Sequence, residues 1–334
     1  MKATSSSKTN PAPGRIFQVA ILVVLAAVLV LGGTPPVALV AGMAFALLIG
    51  HPFAHWNPKA TKWLLQTCVV LLGFGMDLPV VLRLGVHGSL FAAVTIGITL
   101  AVGLWLGRKL HLDRNTSTLI SAGTAICGGS AIAAVSSVIG AAEAEIAVSI
   151  GTVFLLNAIA LYVFPPIGHW LHLSPTQFGL WAGVAIHDIS SVVGAGLSYG
   201  RDALNTATAV KLSRTLWIAP VTLAIAFAWG RRARAGAEGA APKQKAKIAI
   251  PWFIGLFLLA SLLRSGWPAV AAWSPVISAV ARRGMILVLF LIGTSLSLRT
   301  LRTVGWRTVT VGLTLWGLIS VGSLAAILML DLAA

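Results

Sequence analysis

Apolar runs recur along this whole chain, each parted from the next by a few polar or basic residues. No other feature limits the fold so strongly. A helix that crosses a bilayer needs about 20 mostly apolar residues, and in lipid each backbone N–H and C=O must be satisfied inside the protein. About eleven runs meet that demand: 16–31, 36–50, 63–82, 88–107, 116–140, 146–164, 178–199, 206–229, 250–264, 276–298 and 308–330. Composition agrees, since 57% of the 334 residues are hydrophobic and 10% are charged. Soluble domains carry about 25% charged residues. A soluble enzyme, a secreted domain and a disordered tail are therefore excluded. The expected fold class is an all-α polytopic membrane protein.

The net charge of +16 raises the question of nucleic acid. The cations, however, are dispersed between apolar runs, which fits membrane orientation, with the lipid bilayer as partner and no nucleic acid. With the N-terminus in the cytoplasm, 17 of the 24 Lys and Arg lie on the cytoplasmic side. Five lie opposite, namely Arg83, Arg201, Arg264, Arg282 and Arg283. Two, Lys211 and Arg214, lie inside a span. That bias follows the positive-inside rule. The first run follows Lys2, Lys8 and Arg15, as in a signal peptide, but no small-residue cleavage site is evident after Leu31. It reads as a retained span.

The chain divides into a cytoplasmic tail (1–15), eight spans (16–230), a basic linker (231–249) and three further spans (250–334). Segments 70–85 and 290–305 share Leu71/Leu291, Gly73/Gly293, Leu78/Leu298 and Gly85/Gly305. They run in opposite directions in this topology, as an inverted repeat requires. Chance similarity between apolar segments accounts for the echo equally well.

Three segments hold residues that are costly in lipid. In 121–137, Gly128 and Gly129 follow Thr124 and Cys127 and precede Ser130. Paired glycines weaken a helix mid-span, and a break there would offer N–H groups to an anion. Close packing through small residues is the competing reading. In 178–199, Asp188 lies near the midplane, beside His187 and followed by Ser191. An ionisable residue there is a functional candidate by default. A structural ion pair for Asp188 and a satisfied hydrogen bond for His187 remain the alternatives. In 206–229, Lys211 and Arg214 are three apart and share a helix face. One can neutralise Asp188 while the other meets an anion, so that proton and anion binding favour each other. Snorkelling to the interface is the alternative. Asn157 is a further polar residue inside a span, expected to make an interhelix hydrogen bond.

Enzyme signals are weak. Gly196-Leu197-Ser198-Tyr199-Gly200 fits G-x-S-x-G but ends an apolar helix instead of joining a strand to one. No metal-ligand cluster accompanies His187-Asp188, and neither cofactor nor metal is expected. Cys68 and Cys127 lie in apolar runs and form no disulfide framework.

The segments AGTAICGGSAIAAVSSVI (122–139), FGLWAGVAIHDISSVVGAG (178–196) and ATAVKLSRTLWIAPVTL (207–223) resemble the sulfate exporter family of bacterial multi-pass membrane proteins. LLGFGMDL (71–78) and PWFIGLFLL (251–259) extend the likeness over roughly residues 60–330. The resemblance implies inverted five-helix repeats, discontinuous helices crossing at the midplane and elevator-type movement, as in cation/proton antiporters and bile-acid transporters. This chain departs from the family pattern at Gly75-Met76, where Arg is common, and at Ile189-Ser190-Ser191, where Thr-Ala-Gln is common.

The function expected is a secondary transporter of the bacterial inner membrane, not an enzyme, exporting a small anion such as sulfate, sulfite or a sulfonate. The expected site joins Thr124, Cys127, Gly128, Gly129, Ser130, Asn157, His187, Asp188, Ser191, Lys211 and Arg214. Protons are the expected coupling ion, with a homodimer as the candidate assembly. The alternative is a sodium/proton or sodium-coupled transporter with Asp188 as cation ligand.

Overall fold

The computed structural model describes residues 15–49, 57–234, 252–295 and 305–329. The tail 1–14, the linker residues 235–249 and the 296–304 part of the internal echo lie outside the described residues.

Among the described residues the chain forms fourteen helices and no strand. In order they are α1 (Arg15–Gly32), α2 (Pro35–Leu48), α3 (Asn57–Gly73), α4 (Leu78–Lys109), α5 (Arg114–Ala125), α6 (Gly129–Ile139) and α7 (Glu143–Trp170). There follow α8 (Pro175–Ala185), α9 (Ile189–Tyr199), α10 (Arg201–Thr215), α11 (Ile218–Arg234), α12 (Trp252–Gly266), α13 (Pro268–Ser295) and α14 (Trp306–Met329). Five stretches are long and apolar enough to cross a bilayer: Phe91–Lys109, Glu143–Trp170, Arg201–Arg231, Pro268–Thr294 and Trp306–Met329. Shorter apolar helices accompany them, α1, α2 and α12 among them.

The helices start where the sequence supplies caps. Asp113 accepts the N–H groups of Asn115 (2.8 Å) and Thr116 (3.1 Å) at the head of α5. Ser174 accepts from Gln177 N–H (3.2 Å) at α8, while the Gln177 side chain accepts from Ser174 N–H (2.9 Å). This reciprocal pair satisfies two donors that a helix start leaves free.

Polarity is arranged in the reverse of a soluble protein. Val24, Val28 and Leu31 on α1, Leu259 and Leu262 on α12, and Val321 and Leu328 on α14 are exposed. Thr124, Asn157, His187, Lys211 and Arg214 are buried. An apolar exterior of this extent needs lipid against it. One core joins Phe45, Phe164, Phe178, Trp181, Leu289 and Phe290 from α2, α7, α8 and α13. A second joins Cys68, Leu72, Phe257 and Met285 from α3, α12 and α13.

The structure divides three of the expected runs and extends a fourth. The run 116–140 divides into α5 and α6, and 178–199 divides into α8 and α9. The run 206–229 also divides, at Leu216-Trp217, and its first helix begins at Arg201. Pro220 explains this third break, because a proline ring clashes with the carbonyl four residues earlier, here that of Leu216. Lys211 and Arg214 consequently sit beside a mid-span break and not near a span's end. Helix α7, finally, runs through Pro165-Pro166 to Trp170, past the expected end at residue 164.

Candidate functional site at two helix breaks

The first break occupies Ile126-Cys127-Gly128. Gly128 has φ 67° and ψ −126°, a conformation that a side chain would strain. Its N–H turns back to the Gly123 carbonyl (2.8 Å), and no side chain caps the head of α6. The second break occupies Ile186-His187-Asp188. Asn157 of α7 holds it open, its Oδ1 accepting the backbone N–H of His187 (3.0 Å) and Asp188 (3.3 Å). Asp188 caps α9, accepting from Ser190 N–H (3.0 Å) and from the Ser190 hydroxyl. The breaks abut: a Cβ built on Gly128 would lie 3.7 Å from Asp188 Cβ.

Each break exposes two helix ends of opposite polarity. A helix C-terminus carries about −0.5 charge and an N-terminus about +0.5. The C-terminal ends of α5 and α8 are met by Lys211, whose Nζ donates to Ile126 O (3.2 Å) and Ile186 O (2.5 Å). Arg214 donates to Ala125 O and to Thr95 Oγ1 (2.8 Å). Both cations are fully buried. Lys211 alone serves both helix ends, and Arg214, three residues on and on the same face, adds a second contact at α5.

The pairing expected for Asp188 is therefore corrected. Neither Lys211 nor Arg214 makes an ion pair with it; both engage backbone carbonyls. Among the described residues the one ion pair is Arg264 with Asp77, at the surface. Dipole charge at the helix ends competes successfully for the cations because it is dry and preorganised, whereas Asp188 keeps partial exposure.

The N-terminal end of α9 opens on a cavity of about 310 Å³. Asp188, Ser190, Ser191 and Asn157 line it, with Thr61 and Lys62 of α3 opposite. Asn157 is 3% exposed, and its Nδ2 has no hydrogen-bond partner. Since Oδ1 is occupied by two N–H donors, Nδ2 is a donor awaiting an acceptor. Of the expected site residues, Asn157, Asp188 and Ser191 line the cavity. Thr124, Cys127, His187, Lys211 and Arg214 are buried in the packing around the breaks, Gly128 and Gly129 turn the chain there, and Ser130 is exposed. Both ring nitrogens of His187 and the Thr124 hydroxyl are buried without partners. Sequence reasoning missed Thr61, Lys62, Ser190 as a partner of Asp188, and Thr95. Only Ser190 left a signal, the Asp-x-Ser spacing of a cap.

Ser198 of the G-x-S-x-G match lies in α9 and donates to Gly194 O (3.0 Å). Among the described residues no three of His, Cys, Asp and Glu gather as metal ligands would.

A family model described as conserved hypothetical protein 698 matches residues 16–312. A UPF0324 membrane protein of Porphyromonas gingivalis is 49% identical over 299 residues, covering 89% of this chain and 88% of the relative. One of Bacteroides thetaiotaomicron is 44% identical over 299 residues, with 88% and 86% covered. One of Bdellovibrio bacteriovorus is 47% identical over 291 residues, with 87% and 88% covered. No solved structure matches the chain. Matches of this length, on a helical chain with a lipid-facing exterior, make it a multi-pass membrane protein of the conserved hypothetical protein 698 family, to which the UPF0324 membrane proteins are its relatives.

Proposed function

We propose that the protein is a secondary transporter of the bacterial inner membrane that exports a small anion, coupled to protons. Sulfate, sulfite or a sulfonate is the substrate class. The observation that carries the reading is the Asn157 amide: a buried donor without an acceptor, on the wall of a cavity at a helix N-terminus. Such a donor suits an anion's oxygen and repels a metal cation.

Charge at the crossing supports the same reading. Lys211 and Arg214 face about one unit of negative dipole charge at α5 and α8, and Asp188 faces about one unit of positive dipole charge at α6 and α9. The crossing thus holds a surplus of about one positive charge, and about two once Asp188 is protonated. Proton uptake at Asp188 then favours anion binding, as reciprocal coupling requires. Lys211 and Arg214 act by setting this potential and holding the breaks, in place of the direct anion contact expected from sequence. Ser130 and Ser191 are added ligands on either helix head.

In this reading the fourteen helices make about eleven crossings, because α5–α6, α8–α9 and α10–α11 are each one interrupted span. The N-terminus is cytoplasmic, and inverted repeats move as an elevator about the crossing. The protein catalyses no covalent reaction and needs no cofactor. Purified protein in liposomes should accumulate or release sulfate or sulfite when a pH gradient is imposed. Absence of oxyanion flux under every proton and sodium gradient overturns the reading.

One observation favours the sodium-coupled alternative. Among the described residues Asp188 forms no ion pair, and it shares its cavity with Ser190, Ser191 and Thr61. If that reading holds, sodium stabilises the parent and leaves Asp188→Asn unchanged.

A further inference from the structure

A second cavity, of about 630 Å³, lies at the other end of α9. Thr34 and Pro35 at the head of α2, Ser198 of α9 and the adjacent Arg282 and Arg283 of α13 line it. The charged groups that bear on Arg282 are both cations, Arg201 and Arg283. Among the described residues no ion pair joins any of the three to an acid, and Arg282 is partly buried. Like charges held together without a counter-ion are costly, more so where water is partly excluded. Two guanidinium groups lining one cavity offer planar forks of donors that match the oxygens of a tetrahedral anion. The head of α2 adds the positive end of its dipole, and Thr34 an exposed hydroxyl whose side chain caps nothing.

The central cavity cannot be the same site. Both are lined by α2, α9 and α13, but by different turns: Leu39, Ser191 and Ile292 at the first, Pro35, Ser198 and Ile286 at the second. Between them Gly194 is closed over by side chains, since a Cβ there would lie 2.8 Å from Leu161 Cδ1 and 2.9 Å from Leu289 Cδ1. The five arginines that break the cytoplasmic charge bias include Arg201, Arg282 and Arg283. A binding role explains why two of them line one cavity with the third close enough to act on Arg282.

We propose that the Arg282–Arg283 cavity is a second oxyanion site, separate from the helix crossing, taking a phosphate or sulfate group either free in solution or on a lipid headgroup. The full chain is purified in a neutral detergent, stripped of lipid, and titrated calorimetrically with sodium phosphate and sodium sulfate at fixed ionic strength. Phosphatidylglycerol is added back separately, and its retention is read by native mass spectrometry. Arg282→Gln/Arg283→Gln should weaken binding at this site about tenfold or more, and Arg282→Lys/Arg283→Lys should recover part of it. Arg283→Gln alone, at an exposed position, serves where the double variant fails to fold, and should weaken binding about threefold. Loss confined to phosphatidylglycerol makes the ligand a headgroup; loss of inorganic phosphate or sulfate makes it a free anion. Either supports the site. The proposal is overturned if the parent binds none of the three, or if the arginine variants bind all of them as the parent does. Anion binding lost in Asn157→Ala but kept in the arginine variants refutes this site while leaving the crossing's role intact; the converse result does the opposite.

Discussion

The carboxyl ends and the amino ends of the interrupted helices receive opposite treatment. At α5 and α8, buried cations close the carbonyls. At α9, Asp188 and Asn157 line a cavity, and the Asn157 amide nitrogen is buried without a partner. The breaks are the same kind of local event, yet one side is fixed and dry while the other is open to change. The difference teaches that a charge in a membrane helix is not in itself evidence of a ligand contact. A cation that satisfies backbone is scaffold, and a donor left without a partner is the better pointer to a site.

The contrast can be broken by substitution. Lys211→Ala should have the largest effect on stability, about 3–5 kcal/mol, because two carbonyl ends lose one buried charge. Thermal unfolding followed by size exclusion in detergent measures it, and a variant as stable as the parent would remove the scaffold role. Gly128→Ala should cost about 1–3 kcal/mol through backbone strain at positive φ, with wild-type-like unfolding temperature as the contrary result. Thr95→Val takes one of Arg214's partners and should cost about 1 kcal/mol while leaving anion flux unchanged; a lost flux would place Arg214 on the substrate side after all. Asp188→Asn should change stability least, since Asn caps a helix about as well as Asp. Its effect belongs to the open side: flux that rises with acidity in the parent should become independent of pH. A flux that keeps its pH response in this variant moves the coupling proton elsewhere.

Much of this architecture was legible before any coordinates. Apolar run length located the helices because lipid forces each span to satisfy its own backbone. Gly128-Gly129 suggested the first break, with close packing through small residues as the competing reading, and Ser190, Ser191, Gly194 and Gly196 suggested a loosened helix at the second. The break at Leu216-Trp217 was missed although Pro220 announces it four residues on. The destinations of Lys211 and Arg214 were not legible, because backbone carbonyls carry no sequence signature. Nor were Thr61 and Lys62, whose approach to the cavity depends on how α3 packs. Asn157 was read as a structural hydrogen-bonding residue, and its Oδ1 fulfils that; only coordinates expose its other half.

Gly194 has a consequence for the membrane as an insulator. Leu161 and Leu289, both buried, close over it with hydrocarbon and separate the two cavities. Water wires carry protons readily, and a continuous one through a membrane protein would let a proton gradient drain. In the arrangement described here, hydrocarbon from Leu161 and Leu289 stands between the two cavities along α9 and interrupts any such wire there.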